Sequence, residues 1–147
     1  MKTISQQLNI KEFPFSIKDS KGNTIYYEDS NGYWYKIEFN SKGKEIYYEN
    51  SNGNWYKHEF NSNGKLIYHE TSTGYWYKQE YDSNGNTIYY EDSNGYWYKQ
   101  EFNSKGNTIY YENYNGDIVD KRPKAVELTM DEIAEKFNLV LKILKEM

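Results

Sequence analysis

The chain has 147 residues, a net charge of −4 and no cysteine, which suits one domain and excludes a disulfide framework or a thiolate metal site. Its mean hydropathy of −1.09 and mild acidity argue against a membrane span and make duplex DNA an unfavourable partner. Eighteen tyrosines, four tryptophans and six phenylalanines stand where an ordinary protein would place aliphatic core residues.

Residues 1–18 are predicted to form an N-terminal cap. Thr3 suits the N-cap of a short helix that runs through Leu8 and ends near Asn9. Pro14 then enforces extended chain, and the apolar residues around it alternate as they do in a strand.

Residues 19–118 form a repeat array whose unit is 21 residues long. The ten glycines are spaced alternately by 10 and 11 residues, and none lies outside this pattern. They are Gly22, Gly32, Gly43, Gly53, Gly64, Gly74, Gly85, Gly95, Gly106 and Gly116. Each glycine closes a connector such as DSNG or NSKG, in which Asp or Asn opens a turn and Gly ends it. The sequence therefore predicts two strands and two turns per unit.

The first strand of each unit reads NTIYYE or a relative, and the second reads YWYKIEF or a relative. Both are rich in aromatic and β-branched residues, which favour strands. We therefore expect a mainly β fold: an antiparallel meander of about ten strands in a largely single-layer sheet, with a short N-terminal helix and a C-terminal helix as caps.

Strict alternation predicts which side chains share a face of the sheet. It places Ile25 with Tyr27, opposite Tyr26, and it places Trp34 with Lys36. Both faces would then be partly aromatic, which is not typical of a sheet with one buried and one wet face. This pattern predicts that cross-strand ladders of side chains, rather than a thick core, hold the sheet together.

The odd length of the unit sets a further constraint. If both turns were equal and neither strand bulged, successive units would turn opposite faces to the same side. Because equivalent residues recur in every unit, we expect each unit to face the same way. One turn must then differ from the other, or one strand must carry a bulge.

Residues 119–147 are predicted to be a linker followed by the C-terminal helix. Thr129 and Glu132 fit a capping box, and a broad apolar stripe follows that includes Ile133, Phe137, Val140, Leu141 and Leu144. A break at Asn138 into two shorter elements is the alternative. The apolar stripe makes a homodimer possible.

No catalytic residue, cofactor site or metal site is expected, and the chain is predicted not to be an enzyme. His58 and His69 occupy positions where other units carry Ile, Gln or Tyr, which indicates drifted repeat positions. The regularly spaced aromatic and lysine side chains are the candidates for binding. They are Tyr33, Trp34, Lys36, Trp55, Lys57, Tyr75, Trp76, Lys78, Tyr96, Trp97 and Lys99.

The repeats resemble several known families. The motif Asn-Gly-x-Trp-Tyr is similar to choline-binding repeats, the spacing is similar to that of MORN repeats, and residues 81–86 resemble the YD repeats of Rhs-type proteins. The GNTIYYE and NGYWYK units, together with Arg122-Pro-Lys124 and the segment 127–134 (ELTMDEIA), resemble small phage and prophage proteins of bacteria. That last resemblance implies a mobile-element setting, in the cytoplasm of a bacterial host.

Three functions fit these features. The first is a protein that binds and inhibits a host defence protein, such as a CRISPR effector, because small mobile-element proteins often act in this way. The second is a carbohydrate- or cell-wall-binding module that stacks sugars on the aromatic rings. The third is a binder of single-stranded nucleic acid that uses aromatic stacking and the lysines.

Overall fold

A computed structural model describes residues 3–124 and 128–146. Eleven antiparallel strands form one open sheet in which spatial order follows sequence order, so the predicted mainly β meander is confirmed. The strands are β1 (Phe15–Lys18), β2 (Thr24–Glu28), β3 (Trp34–Phe39), β4 (Glu45–Asn50), β5 (Trp55–Phe60), β6 (Leu66–Thr71), β7 (Trp76–Tyr81), β8 (Thr87–Asp92), β9 (Trp97–Phe102), β10 (Thr108–Asn113) and β11 (Ile118–Asp120). The helices are α1 (Ile4–Leu8) and α2 (Met130–Glu146).

All ten turns share one hydrogen-bond pattern. In the turn after β8, the Gly95 N–H donates to the Asp92 carbonyl at 3.0 Å, and the Asp92 N–H donates to the Tyr96 carbonyl at 2.9 Å. The Asp92 carboxylate also accepts from the Asn94 N–H at 2.9 Å. Gly95 has a φ of +81°, a conformation that glycine adopts without steric strain. Aspartate or asparagine opens nine of these turns and Thr71 opens the tenth, so the opening residues and the glycines do what the connector sequences predict.

A bulge in the first strand of each unit resolves the odd repeat length. Between β5 and β6, Glu59 pairs with Tyr68 and Phe60 pairs with Leu66, so that Ile67 has no partner. The same shift recurs in the other units, where the unpaired residues are Ile25, Ile46, Ile88 and Ile109. The predicted need for a bulge or an unequal turn is confirmed, and the bulge is the solution.

The bulge also changes the face on which the isoleucines lie. Ile46 lines the same groove as Tyr47, and Ile88 lines the same groove as Tyr89. The prediction that Ile25 shares a face with Tyr27 was therefore wrong, since Ile25 lies beside Tyr26. Strict alternation fails here because a bulged residue interrupts the pleat.

Polar side chains satisfy the backbone carbonyls next to the bulges. The Gln100 side chain donates to the Thr87 carbonyl at 2.7 Å, and the Gln79 side chain donates to the Leu66 carbonyl at 3.0 Å. At the equivalent position on β5, His58 Nδ1 lies 3.2 Å from the Glu45 carbonyl. This repeat position thus has a structural role in three units.

One ring from each strand between β2 and β10 stacks into a column on what we call the tyrosine face. The centroids of neighbouring rings lie 5.1–6.3 Å apart. The column consists of Tyr27, Tyr35, Tyr48, Tyr56, His69, Tyr77, Tyr90, Tyr98 and Tyr111. Cross-strand aromatic pairs stabilise a sheet by about 0.2–1 kcal/mol each. Because no described side chain is less than 2% exposed, the column takes the place of a buried core.

The two helices differ in their contacts. α1 has the predicted caps: Thr3 accepts from the Gln6 N–H in a capping box, and Asn9 adopts a left-handed conformation. α2 is one helix rather than two elements. Its apolar residues Met130, Ile133 and Phe137 are exposed. The side chains of Val140, Leu141 and Leu144, and residue Glu127 of the tail motif, lie outside the described residues.

We expect Gly95→Ala to lower the free energy of unfolding by about 1–3 kcal/mol, because a non-glycine residue at this positive φ is strained. A Cβ at Gly95 would meet nothing within 4 Å, so the effect isolates backbone strain. Gly95→Asn is the matched control, since Asn tolerates this conformation better. Urea denaturation measures both, and equal loss in the two variants would contradict the assignment.

We expect Gln100→Met to lower the free energy of unfolding by about 0.5–1.5 kcal/mol, because it removes the donor to the Thr87 carbonyl while keeping the length of the side chain. Glu80→Met, at an exposed position of β7, is the control and should be near neutral. Thermal unfolding followed by circular dichroism compares them. A Gln100→Met variant as stable as the parent chain would show that this hydrogen bond contributes nothing.

Candidate functional site

The face opposite the ring column carries the tryptophans, lysines and glutamates, and we call it the charged face. Each first strand places a Tyr–Glu pair here, two residues apart. The pairs are Tyr26–Glu28, Tyr47–Glu49, Tyr68–Glu70, Tyr89–Glu91 and Tyr110–Glu112. The Tyr89 hydroxyl donates to the Glu91 carboxylate at 2.7 Å, and the Tyr110 hydroxyl donates to Glu112 at 2.8 Å. These bonds fix the orientation of the rings, and the bond to Glu91 raises the pKa of Tyr89.

Three lysines of the second strands, Lys36, Lys57 and Lys78, lie over the tyrosines of these pairs. Lys36 bonds Glu49 at 2.9 Å, and its ammonium lies 4.9 Å from the centre of the Tyr47 ring. Lys78 bonds Glu91 at 2.7 Å and lies 5.7 Å from the centre of the Tyr89 ring. The hydrogen bond that Lys36 donates to Glu49 raises the pKa of Lys36. These lysines stay charged, but their charge is balanced locally, so the face does not present a basic patch.

Three equivalent grooves cross the charged face, over β4, β6 and β8. Each has the bulged isoleucine and the tyrosine of a first strand as its floor, with a lysine and a glutamate of each flanking second strand at its sides. Their volumes are about 620, 760 and 570 Å³ in that order. Since neighbouring strands are about 4.8 Å apart, successive grooves repeat about every 9.6 Å.

The first Tyr–Glu pair differs from the others because α1 covers it. The Ser5 hydroxyl donates to Glu28 at 2.6 Å, and the Ser5 N–H donates to Glu28 at 3.2 Å. Tyr26 and Glu28 are 6% and 3% exposed, whereas the side chains of Glu49 and Glu91 are 32% and 31% exposed. Burial raises the pKa of Glu28, but hydrogen bonds from Ser5, Thr3 and Tyr26 lower it by more, so that it lies below its ordinary value.

Arg122 completes the charged face at the other edge of the sheet. Asp120 of β11 pairs with Tyr110, at the position that a lysine occupies in the other units. The Arg122 guanidinium lies 4.1 Å from the centre of the Tyr110 ring. It bonds Asp120 at 2.7 Å and Glu101 at 3.1 Å. Hydrogen bonds from Arg122 lower the pKa of Asp120 to about 2, so Asp120 is ionised at neutral pH.

The predicted binding residues divide between the two faces. The structure brings eight of them together on the charged face, as one row of tryptophans and one of lysines. These are Trp34, Lys36, Trp55, Lys57, Trp76, Lys78, Trp97 and Lys99. The other three are on the tyrosine face, where the Tyr33 hydroxyl bonds that of Tyr48 at 3.2 Å, the Tyr75 hydroxyl bonds that of Tyr90 at 3.3 Å, and Tyr96 packs edge-on against Tyr90. One flat partner therefore cannot contact all eleven.

Sequence reasoning did not include the groove floors among the binding candidates. Tyr47, Tyr68 and Tyr89 each lie between two successive lysines of the row, and the bulged isoleucines lie beside them. The odd length of the repeat was the available signal, because a bulge moves the isoleucine to the face of the first tyrosine. The position of the bulge within the strand was not evident from the sequence.

The described residues contain no group of three or more His, Asp or Glu side chains that could hold a metal ion. His69 is a ring of the column on the tyrosine face, where burial and the nearby His58 lower its pKa. Among the described helices, none is long and apolar enough to cross a membrane.

Distant structural neighbours of this chain include two toxin structures. A scan against models of protein families finds no match, and a search of curated proteins finds none either. The Photorhabdus luminescens Tc holotoxin pore is similar at 14% identity and a TM-score of 0.49. The TcdB2-TccC3 crystal structure is similar at 14% identity and a TM-score of 0.48. Each likeness covers 68% of this chain and 5% of the other chain, so this chain spans a small fraction of those proteins.

We expect Glu28→Gln to lower the free energy of unfolding at pH 7 by about 1.5–3 kcal/mol, because the carboxylate accepts hydrogen bonds from α1 and Tyr26. The pKa of Glu28 is lower in the folded chain. Its contribution is therefore complete above the ordinary pKa of 4.5 and is lost as the pH falls through the lower, folded value. Chemical denaturation between neutral and acidic pH tests this.

Glu49→Gln is the matched control for that experiment, since Glu49 occupies the same repeat position but is half-exposed. It should reduce stability by less than about 1 kcal/mol, as is typical of an exposed ion pair. Equal losses in the two variants, or an unchanged acid response in Glu28→Gln, would contradict a special role for the covered pair.

Proposed function

We propose that this chain is a non-enzymatic binding protein whose charged face docks on another protein. The observation that carries this proposal is the series of three equivalent grooves between rows of lysine and glutamate. Two of their tyrosine floors, Tyr47 and Tyr89, are oriented by hydrogen bonds to glutamate, and half-buried tryptophans lie on the same face. Aromatic side chains that are already held in place supply contact area with little loss of conformational entropy on binding.

The size of the sheet suits such an interface. Eleven strands at a spacing of about 4.8 Å make a surface about 48 Å across, and strands of six residues are about 20 Å long. The product, roughly 960 Å², is of the same order as the ~800 Å² that each partner contributes to a standard protein–protein interface. The balanced charges favour a partner with mixed polar and apolar character over a polyanion.

The partner to test first is a host defence protein. The resemblance to small phage and prophage proteins supports this choice, and a CRISPR effector in the bacterial cytoplasm is one instance. In this proposal the chain inhibits its target by occupying a working surface of that protein.

We expect Trp76→Ala to weaken capture of a protein partner from bacterial host lysate by about 30-fold or more, as truncation of an interface hot spot does. Tyr75→Ala is the matched control, because the neighbouring residue is on the tyrosine face and should leave capture unchanged. Quantitative pull-down followed by calorimetry with the purified partner measures both, after thermal unfolding has shown that each variant folds.

Two outcomes would contradict the docking proposal. Loss of capture in Tyr75→Ala alone would assign binding to the other face. Binding to a glycan array that is lost in Trp76→Ala, with no protein captured, would favour the carbohydrate-binding alternative.

A further inference from the structure

The Tyr–Glu pairs of the charged face form a repeated site, and α1 occupies the first of them. The Tyr26–Glu28 pair is covered by α1, whereas the equivalent pairs on β4, β6 and β8 are half-exposed. Because all these pairs lie in equivalent register next to a bulged isoleucine, the contacts at the first pair show what the others can accept.

α1 supplies two kinds of contact to the first pair. Ser5 directs its backbone N–H and its hydroxyl at the Glu28 carboxylate, at 3.2 and 2.6 Å. Ile4, the residue before it, lines a groove of about 670 Å³ together with Ile25 and Tyr26. An aliphatic residue followed by a hydroxyl residue therefore matches the isoleucine and tyrosine floor and the glutamate beyond it.

Among the open sites, the groove over β6 is the one that most resembles the site covered by α1. At the neighbouring sites, Lys36 bonds Glu49 and Lys78 bonds Glu91. Lys57 faces Glu70 in the register but bonds Glu59 at 3.4 Å, and within the described residues no lysine bonds Glu70. A carboxylate has about four acceptor positions, so most of those on Glu70 remain for a partner. This groove is also the largest of the three.

We infer that the groove over β6 binds a segment of a partner protein in which an aliphatic residue is followed by serine or threonine. The aliphatic side chain packs against Ile67 and Tyr68, and the hydroxyl and backbone N–H of the next residue donate to Glu70. The inference rests on the proposed docking of the charged face and specifies the chemistry of the docked segment.

The chain's own first 13 residues, MKTISQQLNIKEF, provide the probe. This synthetic peptide is titrated to about 5 mM into the isotopically labelled full chain, which detects a dissociation constant of order 1 mM. We expect saturable amide shift changes at Ile67, Tyr68 and Glu70. A peptide carrying Ser5→Ala should bind about tenfold more weakly or worse, because it loses a hydrogen bond to a charged group.

Matched variants of the full chain locate the site. Glu70→Gln should abolish the shift changes on β6, and Glu91→Gln should leave them in place. The inference is overturned if no shifts occur, if shifts are confined to Tyr26 and Glu28 because the peptide exchanges with α1, or if Glu70→Gln binds as the parent chain does.

The same variants separate this inference from the proposed function. Suppose that a captured partner binds the Glu70→Gln variant with full affinity but does not bind the Trp76→Ala variant. That result would overturn the inference and leave docking through the charged face in place. A partner that binds the Trp76→Ala variant as tightly as the parent chain would instead overturn the proposed function.

Discussion

The ring column on the tyrosine face is the interaction on which the sheet depends. A single-layer sheet cannot bury enough apolar surface to offset the conformational entropy that its strands lose on folding. Here the column joins the strands from β2 to β10 through ring contacts 5.1–6.3 Å apart, and each contact is made by residues that also share a backbone ladder. The column needs every unit to present the same face, and the bulge at Ile67 and its equivalents meets this need. One face of the sheet thereby holds the fold, which leaves the opposite face available for recognition.

The ring column ends at both edges of the sheet, because the outermost strands have no aromatic residue at the column position. Ser16 lies opposite Tyr27 at one edge and Val119 lies opposite Tyr111 at the other, so neither edge offers a further ring to stack upon. On the charged face, α1 covers the first Tyr–Glu pair and Arg122 lies over the last tyrosine. Open sheet edges invite pairing with other chains. The loss of the aromatic pattern at both ends limits that tendency, because an added strand would find hydrogen bonds but no stacking partner.

Much of this architecture could be predicted from the sequence, and two of the three errors have one origin. Glycine spacing gave the number and direction of the strands from β2 to β10, Thr3 and Asn9 marked the ends of α1, and the odd repeat length required a bulge or an unequal turn. The position of the bulge was not predictable, because the odd repeat length requires one unpaired residue without specifying which one. Placing Ile25 on the wrong face followed from that gap, and so did overlooking Tyr68 and its equivalents as groove floors. The division of the candidate residues between two faces followed from alternation, but combining Tyr33 with Trp34 in one site ignored it.

The uniform geometry of the 21-residue unit also bears on how such a surface can change over generations. Insertion or loss of one whole unit preserves the facing of every strand and widens or narrows the sheet by two strands. Unequal recombination between near-identical coding segments makes that kind of change in a single step. A lineage could therefore change the width of the charged face in steps of two strands, without altering any contact within a unit.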